Sequence, residues 1–153
     1  MERGISVNKL AATAVLLTLL TAMSPPALAE EQLVLIVSSD SKIEHLDSLE
    51  VRKLFLGLTV THNGNRLRPI LNEADARVKE VFLQNIVALS DIIYDRRLLQ
   101  LSLQQGRTRP TVYKHTTELL RAIAADPSAV SYAWSKDVAH DPHIKILRTL
   151  WHD

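Results

Sequence analysis

Apolar and polar residues along this chain follow two periods, and the switches between them mark its elements. From Leu33 to Val37 the run L-V-L-I-V is continuously apolar and β-branched, as in a strand buried on both faces. Ser38-Ser39-Asp40-Ser41 ends it in a polar loop. Asp47 with Glu50 makes a capping box for a short helix carrying Leu49, Leu54 and Phe55, which Gly57 closes. Asn63-Gly64 signals a tight turn, and Arg66 to Leu71 after it reads as a second strand.

The helical period then takes over. Asp75 caps a helix in which Val78, Val81, Phe82, Asn85, Ile86 and Leu89 recur at steps of three or four. Ser90 and Asp91 start another, running through Leu98, Leu99, Leu101 and Leu103 to Gly106. Arg107-Thr108-Arg109-Pro110 reads as an irregular crossing loop, and Thr111 to Tyr113 as a short strand. Thr116 or Thr117 begins a helix through Leu119, Leu120 and Ile123 that Asp126-Pro127 ends. Ala129 to Ala133 and His143 to Leu147 read as the last two strands. Strands alternating with amphipathic helices predict an α/β layer fold whose ligand sites lie in loops leaving strand ends.

The first 29 residues follow neither period. Arg3 and Lys9 place positive charge ahead of an uncharged apolar run from Leu10 to Met23. Ser24-Pro25-Pro26 then breaks any helix, and Ala27-Leu28-Ala29 supplies the small residues that a signal peptidase reads. The apolar run is shorter than the roughly 20 residues that a bilayer core requires. No Cys follows it, which excludes a lipoprotein anchor. The expectation is a cleavable signal peptide over residues 1–29 and a single domain over 30–153. The product would be a periplasmic protein with no membrane insertion after cleavage.

Composition narrows the function classes. Arg3, Lys9 and Glu2 belong to the leader, so the 18 Lys+Arg and 17 Asp+Glu of the whole chain become 16 of each beyond it. That balance gives no argument for nucleic acid or an anionic membrane surface. With no cysteine there is no disulfide framework, thiol nucleophile or thiolate metal site. His45, His62, His115, His140, His143 and His152 show no metal-ligand spacing, because Pro142 separates the one close pair. No nucleophile elbow or phosphate loop is present, so neither a catalytic residue nor a cofactor is assigned.

Several segments, taken in order, resemble a known family. They are Val51-Arg52-Lys53-Leu54-Phe55-Leu56-Gly57, the Asn63-Gly64 turn, Arg68-Pro69-Ile70-Leu71, the helix bearing Phe82, Gly106 to Pro110, and Pro127-Ser128-Ala129-Val130-Ser131-Tyr132. The resemblance is to small phosphate-ABC-transporter substrate-binding-protein-like domains, a shortened form of the type 2 periplasmic binding protein fold. It implies export, a single α/β lobe and phosphate or another small oxyanion as ligand; the expected protein partner is an inner-membrane transporter or sensor protein. Relatives carry a Gly-Ser-containing segment at the start of the helix bearing Phe82, where this chain has Asn72-Glu73-Ala74-Asp75-Ala76-Arg77. The glycine of their last motif is Ser131 here.

The oxyanion reading assigns five residues. Ser38 and Ser39 follow the first strand, and Ala76, through its backbone N–H, and Arg77 lie where unpaired amides and the helix dipole attract anions. Ser131 stands at the start of a late strand. Against that reading, Glu73 and Asp75 put two carboxylates at the same helix start, each costing a nearby anion about 1 kcal/mol even in water. Asp75 reads equally as a plain N-cap, and Tyr132 equally as core or ligand-facing. The alternative is a ligand-free accessory or sensory module that docks on a membrane protein. N-terminal sequencing of the exported protein should read Glu30-Glu31-Gln32; a chain beginning at Met1 would refute the leader.

Overall fold

The computed structural model of the protein describes residues 30–153; the expected leader and its cleavage after Ala29 lie outside the described residues. A five-stranded sheet organises the rest, in the order β5-β4-β6-β1-β7. Its strands are β1 (Gln32–Ser38), β4 (Arg68–Asn72), β5 (Thr111–Tyr113), β6 (Ala129–Trp134) and β7 (Ile144–His152). β4 pairs in parallel with β5 and β6, whereas β1 pairs antiparallel with both β6 and β7. Four strands therefore share one direction and β1 alone opposes them. The Asn63-Gly64 turn joins a separate hairpin, β2 (Thr61–His62) to β3 (Asn65–Arg66), with positive φ of 50° and 78° at its two central residues.

Strand parity splits the core into two layers, because successive side chains leave opposite faces. Leu33, Leu35 and Val37 of β1 join Val130, Tyr132 and Trp134 of β6 on one face. That face is covered by α1 (Ser48–Phe55), α2 (Ala76–Phe82) and α3 (Asp91–Gln105). Val34 and Ile36 join Ala129 and Ala133 on the other, beneath α4 (Thr116–Ala125) and the short α5 (Ser135–Val138). The continuous apolar run of β1 is thus explained: it is a central strand with a helical layer on each side.

Three aromatic rings tie the first layer together. Phe82 of α2 stacks on Tyr132 of β6 with centroids 3.6 Å apart and planes at 5°. Phe55 of α1 meets both rings edge-on, at 4.7 Å and 5.6 Å. Tyr94 of α3 donates its hydroxyl to the Phe55 carbonyl at 2.7 Å, which anchors the third helix to the first. Burial holds the phenols of Tyr94 and Tyr132 far above their ordinary range, so both are neutral donors.

Local signals emerge as read. Glu50 N–H donates to Asp47 Oδ1 at 2.7 Å and Asp47 N–H to Glu50 Oε2 at 2.9 Å, which is the capping box. Gly57 closes α1 at φ 81°, and a Cβ there would stand 2.6 Å from Leu101 Cδ1. Ser90 caps α3 and Gly106 ends it.

Periodicity was less reliable for which residues face inward. Leu49, Leu99 and Leu103 are 58%, 48% and 77% exposed, because the buried stripes are Val51, Leu54 and Phe55 in α1 and Tyr94, Leu98 and Leu101 in α3. The helix expected to continue to Leu89 instead changes to a π turn over Leu83–Val87, which ends at Ala88 with φ 58°. The extra residue in that turn rotates the stripe, so Leu83 and Val87 are buried while Asn85 faces solvent. The strand read over Arg66 to Leu71 divides between β3 and β4, and β7 runs on to His152.

Phe82→Ala should lower the unfolding free energy by about 3–5 kcal/mol. Leu103→Ala should change it by less than about 0.5 kcal/mol. Urea denaturation of both variants compares a stacked core ring with an exposed leucine of the same helical layer, and equal losses would contradict the packing.

Candidate functional site

The strand directions bring a set of chain segments to one edge of the sheet. β4, β5, β6 and β7 end there at Asn72, Tyr113, Trp134 and His152, while the reversed β1 begins there at Gln32. This is the edge at which ligands bind in open α/β sheets. Asn72 shapes it: its side-chain Nδ2 donates to the Tyr132 carbonyl at 2.9 Å, and its Oδ1 accepts the Ala74 N–H at 3.0 Å. The Tyr132 hydroxyl donates back to the Asn72 carbonyl at 3.3 Å. The turn that follows is therefore clamped to the sheet before α2 begins.

Asp75 occupies the start of α2. Its Oδ1 accepts the Arg77 N–H and its Oδ2 the Trp134 indole N–H, both at 2.9 Å. The Trp134 hydrogen bond first, and the Arg77 N–H second, hold its carboxyl below the ordinary 3.8 against a smaller opposing effect of burial. The position where an anion would meet the first turn thus already carries a carboxylate.

The surrounding charges are mutually committed. Lys79 Nζ bridges Glu73 Oε1 and Asp91 Oδ1, each at 2.8 Å. Partial burial works to lower its pKa, but those two hydrogen bonds outweigh it and leave the ammonium above its ordinary range. The Arg77 guanidinium, half exposed, lies 3.3 Å from Glu31 and 3.5 Å from Asp153. Lys136 reaches Glu31 at 3.1 Å. Burial raises the nearby Asp137 carboxyl, with the Asp75 charge adding to that rise.

Two of the five residues singled out in the sequence share this edge. Ala76 and Arg77 open α2, both exposed. Ser38 and Ser39 lie at the far end of β1, about 20 Å away at a rise of about 3.3 Å per residue. The reason is the reversed direction of β1, whose carboxyl end lies among the amino ends of its neighbours. Ser38 is buried, with Oγ donating to the Ala124 carbonyl at 3.2 Å and accepting the Asp40 N–H at 3.2 Å. Ser39 is exposed and its N–H donates to the His143 carbonyl at 2.9 Å. Ser131 is fully buried opposite Ile36, its hydroxyl donating to the Ile70 carbonyl at 2.8 Å. Tyr132, read as either core or ligand-facing, is core.

Sequence reasoning flagged Glu73 and Asp75 but missed Trp134, Asn72, Lys79, Lys136 and Glu31. Asn72, a polar residue ending an apolar strand, was a readable signal. The contacts of Trp134, Lys136 and Glu31 join positions far apart in the chain, such as Asp75 and Trp134, 59 residues apart, and carried none.

Comparison with solved structures identifies the fold these elements make. The chain superimposes on an ABC-type phosphate transport receptor from Vibrio cholerae with a TM-score of 0.58 at 12% identity, over 78% of this chain and 46% of that one. It superimposes on PstS from Borrelia burgdorferi with a TM-score of 0.55 at 13% identity, over 77% of this chain and 47% of that one. The fold is that of the phosphate-transport substrate-binding proteins, and this chain spans a little under half of their length. No protein-family model matches the sequence, and no curated protein does. Among the described residues, no helix is long and apolar enough to cross a membrane.

Folding favours the ionised Asp75, so the stability it contributes is present at neutral pH and is lost as pH falls through and below 3.8. Asp75→Asn keeps an acceptor for the helix but no charge, and should flatten the acid limb of stability below about pH 5. Asp75→Ala should cost about 1–2 kcal/mol at pH 7 through the lost cap. An acid limb unchanged in the Asn variant would contradict the ionised cap.

Proposed function

We propose that this protein is an exported, periplasmic, non-catalytic substrate-binding-protein-like domain that acts by docking on an inner-membrane transporter or sensor protein. The observation that carries the reading is the Asp75 carboxylate, which accepts the Arg77 and Trp134 N–H groups where an oxyanion would be received. Phosphate placed there would meet Asp75 and Glu73, while the neighbouring cations Arg77, Lys79 and Lys136 already have carboxylate partners. The fold supports a role in binding rather than in chemistry.

One observation favours oxyanion binding as a second reading. Ala76 is exposed and its N–H makes no hydrogen bond among the described residues, beside the half-exposed Arg77 guanidinium. An oxyanion such as phosphate could be held by these two, with Ser38, Ser39 and Ser131 acting only as supports of the sheet. An ABC transporter would then be the partner.

A melting experiment in phosphate and in sulfate separates the two. Docking expects no rise in melting temperature that depends on Arg77. A binder at a hundredfold excess over its Kd would gain about 2.7 kcal/mol. A rise of that order, lost in Arg77→Gln, would overturn the docking reading in favour of the oxyanion.

A further inference from the structure

A cleft lies at the opposite edge of the sheet, where β4 and β5 begin. It has a volume of about 650 Å³, within the range of small-ligand sites. The end of α1, the approach to β4, the end of α3 and the crossing loop before β5 enclose it. Four arginines line it: Arg66, Arg68, Arg107 and Arg109. No Asp, Glu or Lys is among the described residues that line it. The whole chain is close to neutral, with 18 basic and 17 acidic residues, whereas all four charged residues lining this cleft are arginines.

The arginines are held to different degrees. Arg107 donates to the Gly57 carbonyl at the end of α1, which fixes its guanidinium while leaving other N–H groups available. Arg68 pairs with Asp126 at 3.1 Å and Arg109 more loosely with Asp95 at 3.6 Å, and neither carboxylate lines the cleft. Arg66 is exposed beside the hairpin turn and makes no ion pair among the described residues. Leu58 and Pro69 add apolar wall, and Thr59 and Thr108 add hydroxyl donors. Several guanidinium forks with no lining acid suit a ligand carrying more than one oxyanion group.

We infer that this arginine cleft is a binding site for a small polyanion, a molecule with two or more phosphate or carboxylate groups. It is separate from the edge at Asp75, and it stands whether or not docking holds there. Isothermal titration of the exported protein with inorganic diphosphate and with citrate is the test, with orthophosphate as the single-group comparison. Saturable binding of at least one polyanion is expected, about tenfold tighter than orthophosphate, and weakening as salt rises. Arg66→Gln, and separately Arg109→Gln, should weaken it about tenfold at an unchanged melting temperature, the worth of one charge-assisted hydrogen bond. Arg121→Gln, the same loss of charge on the exposed outer face of α4, should leave it unaltered. The absence of saturable binding by either polyanion, or an equal loss in Arg121→Gln, would overturn the inference.

Discussion

The stack of Phe82 on Tyr132, with Phe55 closing against both edges, is the contact on which the rest of the molecule depends. It joins two helices to the central sheet at one fully buried point, and Tyr94 adds the third helix through the Phe55 carbonyl. Tyr132 also extends the junction to the carboxyl edge of the sheet, exchanging hydrogen bonds with Asn72 at the end of β4. The turn that launches α2 is therefore anchored by the same residue that centres the core. Core packing and site geometry are one construction here, since a shift of Tyr132 would move Asn72, Ala74 and the cap at Asp75 together.

The reversed direction of β1 is the second constraint. A strand packed on both faces with the opposite sense to its neighbours delivers its first residues, not its last, to the edge where the other strands end. Glu31 thereby joins Arg77 and Lys136, and the serine loop is carried away to fasten the end of α4. The hydroxyls that look available in the sequence satisfy backbone carbonyls that would otherwise be buried without partners.

The two edges of the sheet differ in electrostatic character. At the carboxyl edge, Arg77, Lys79 and Lys136 are matched to acids, and the helix start is closed by its own aspartate and the Trp134 indole. At the amino edge, arginines gather around a cleft with no acid in its lining. A solvated ion pair contributes little to stability, so the pairing at the first edge matters mainly for what it removes, the free positive charge an incoming anion would seek. In this chain the arginine-lined cleft lies at the edge of the sheet opposite Asp75.

The amino-acid sequence by itself determined the features that depend on near neighbours. The buried run of β1, the Asp47–Glu50 capping box, the Asn63-Gly64 turn, the Gly57 and Gly106 stops and the cap at Asp75 are all set within a few residues. The carboxylates at Glu73 and Asp75 were likewise legible as an obstacle to an anion. Which helical face turns inward was less legible, since Leu99 and Leu103 are as apolar as Leu98 and Leu101, and only the neighbouring layer selects between them. The π turn was hidden because it shifts the period without changing the residue types. Only the tertiary structure decided that Ser38 and Arg77 lie at opposite ends of a strand, that Trp134 reaches Asp75, and that four scattered arginines share one cleft. Those outcomes rest on strand direction and on contacts across some 40 to 60 residues of chain, where local spacing carries no information.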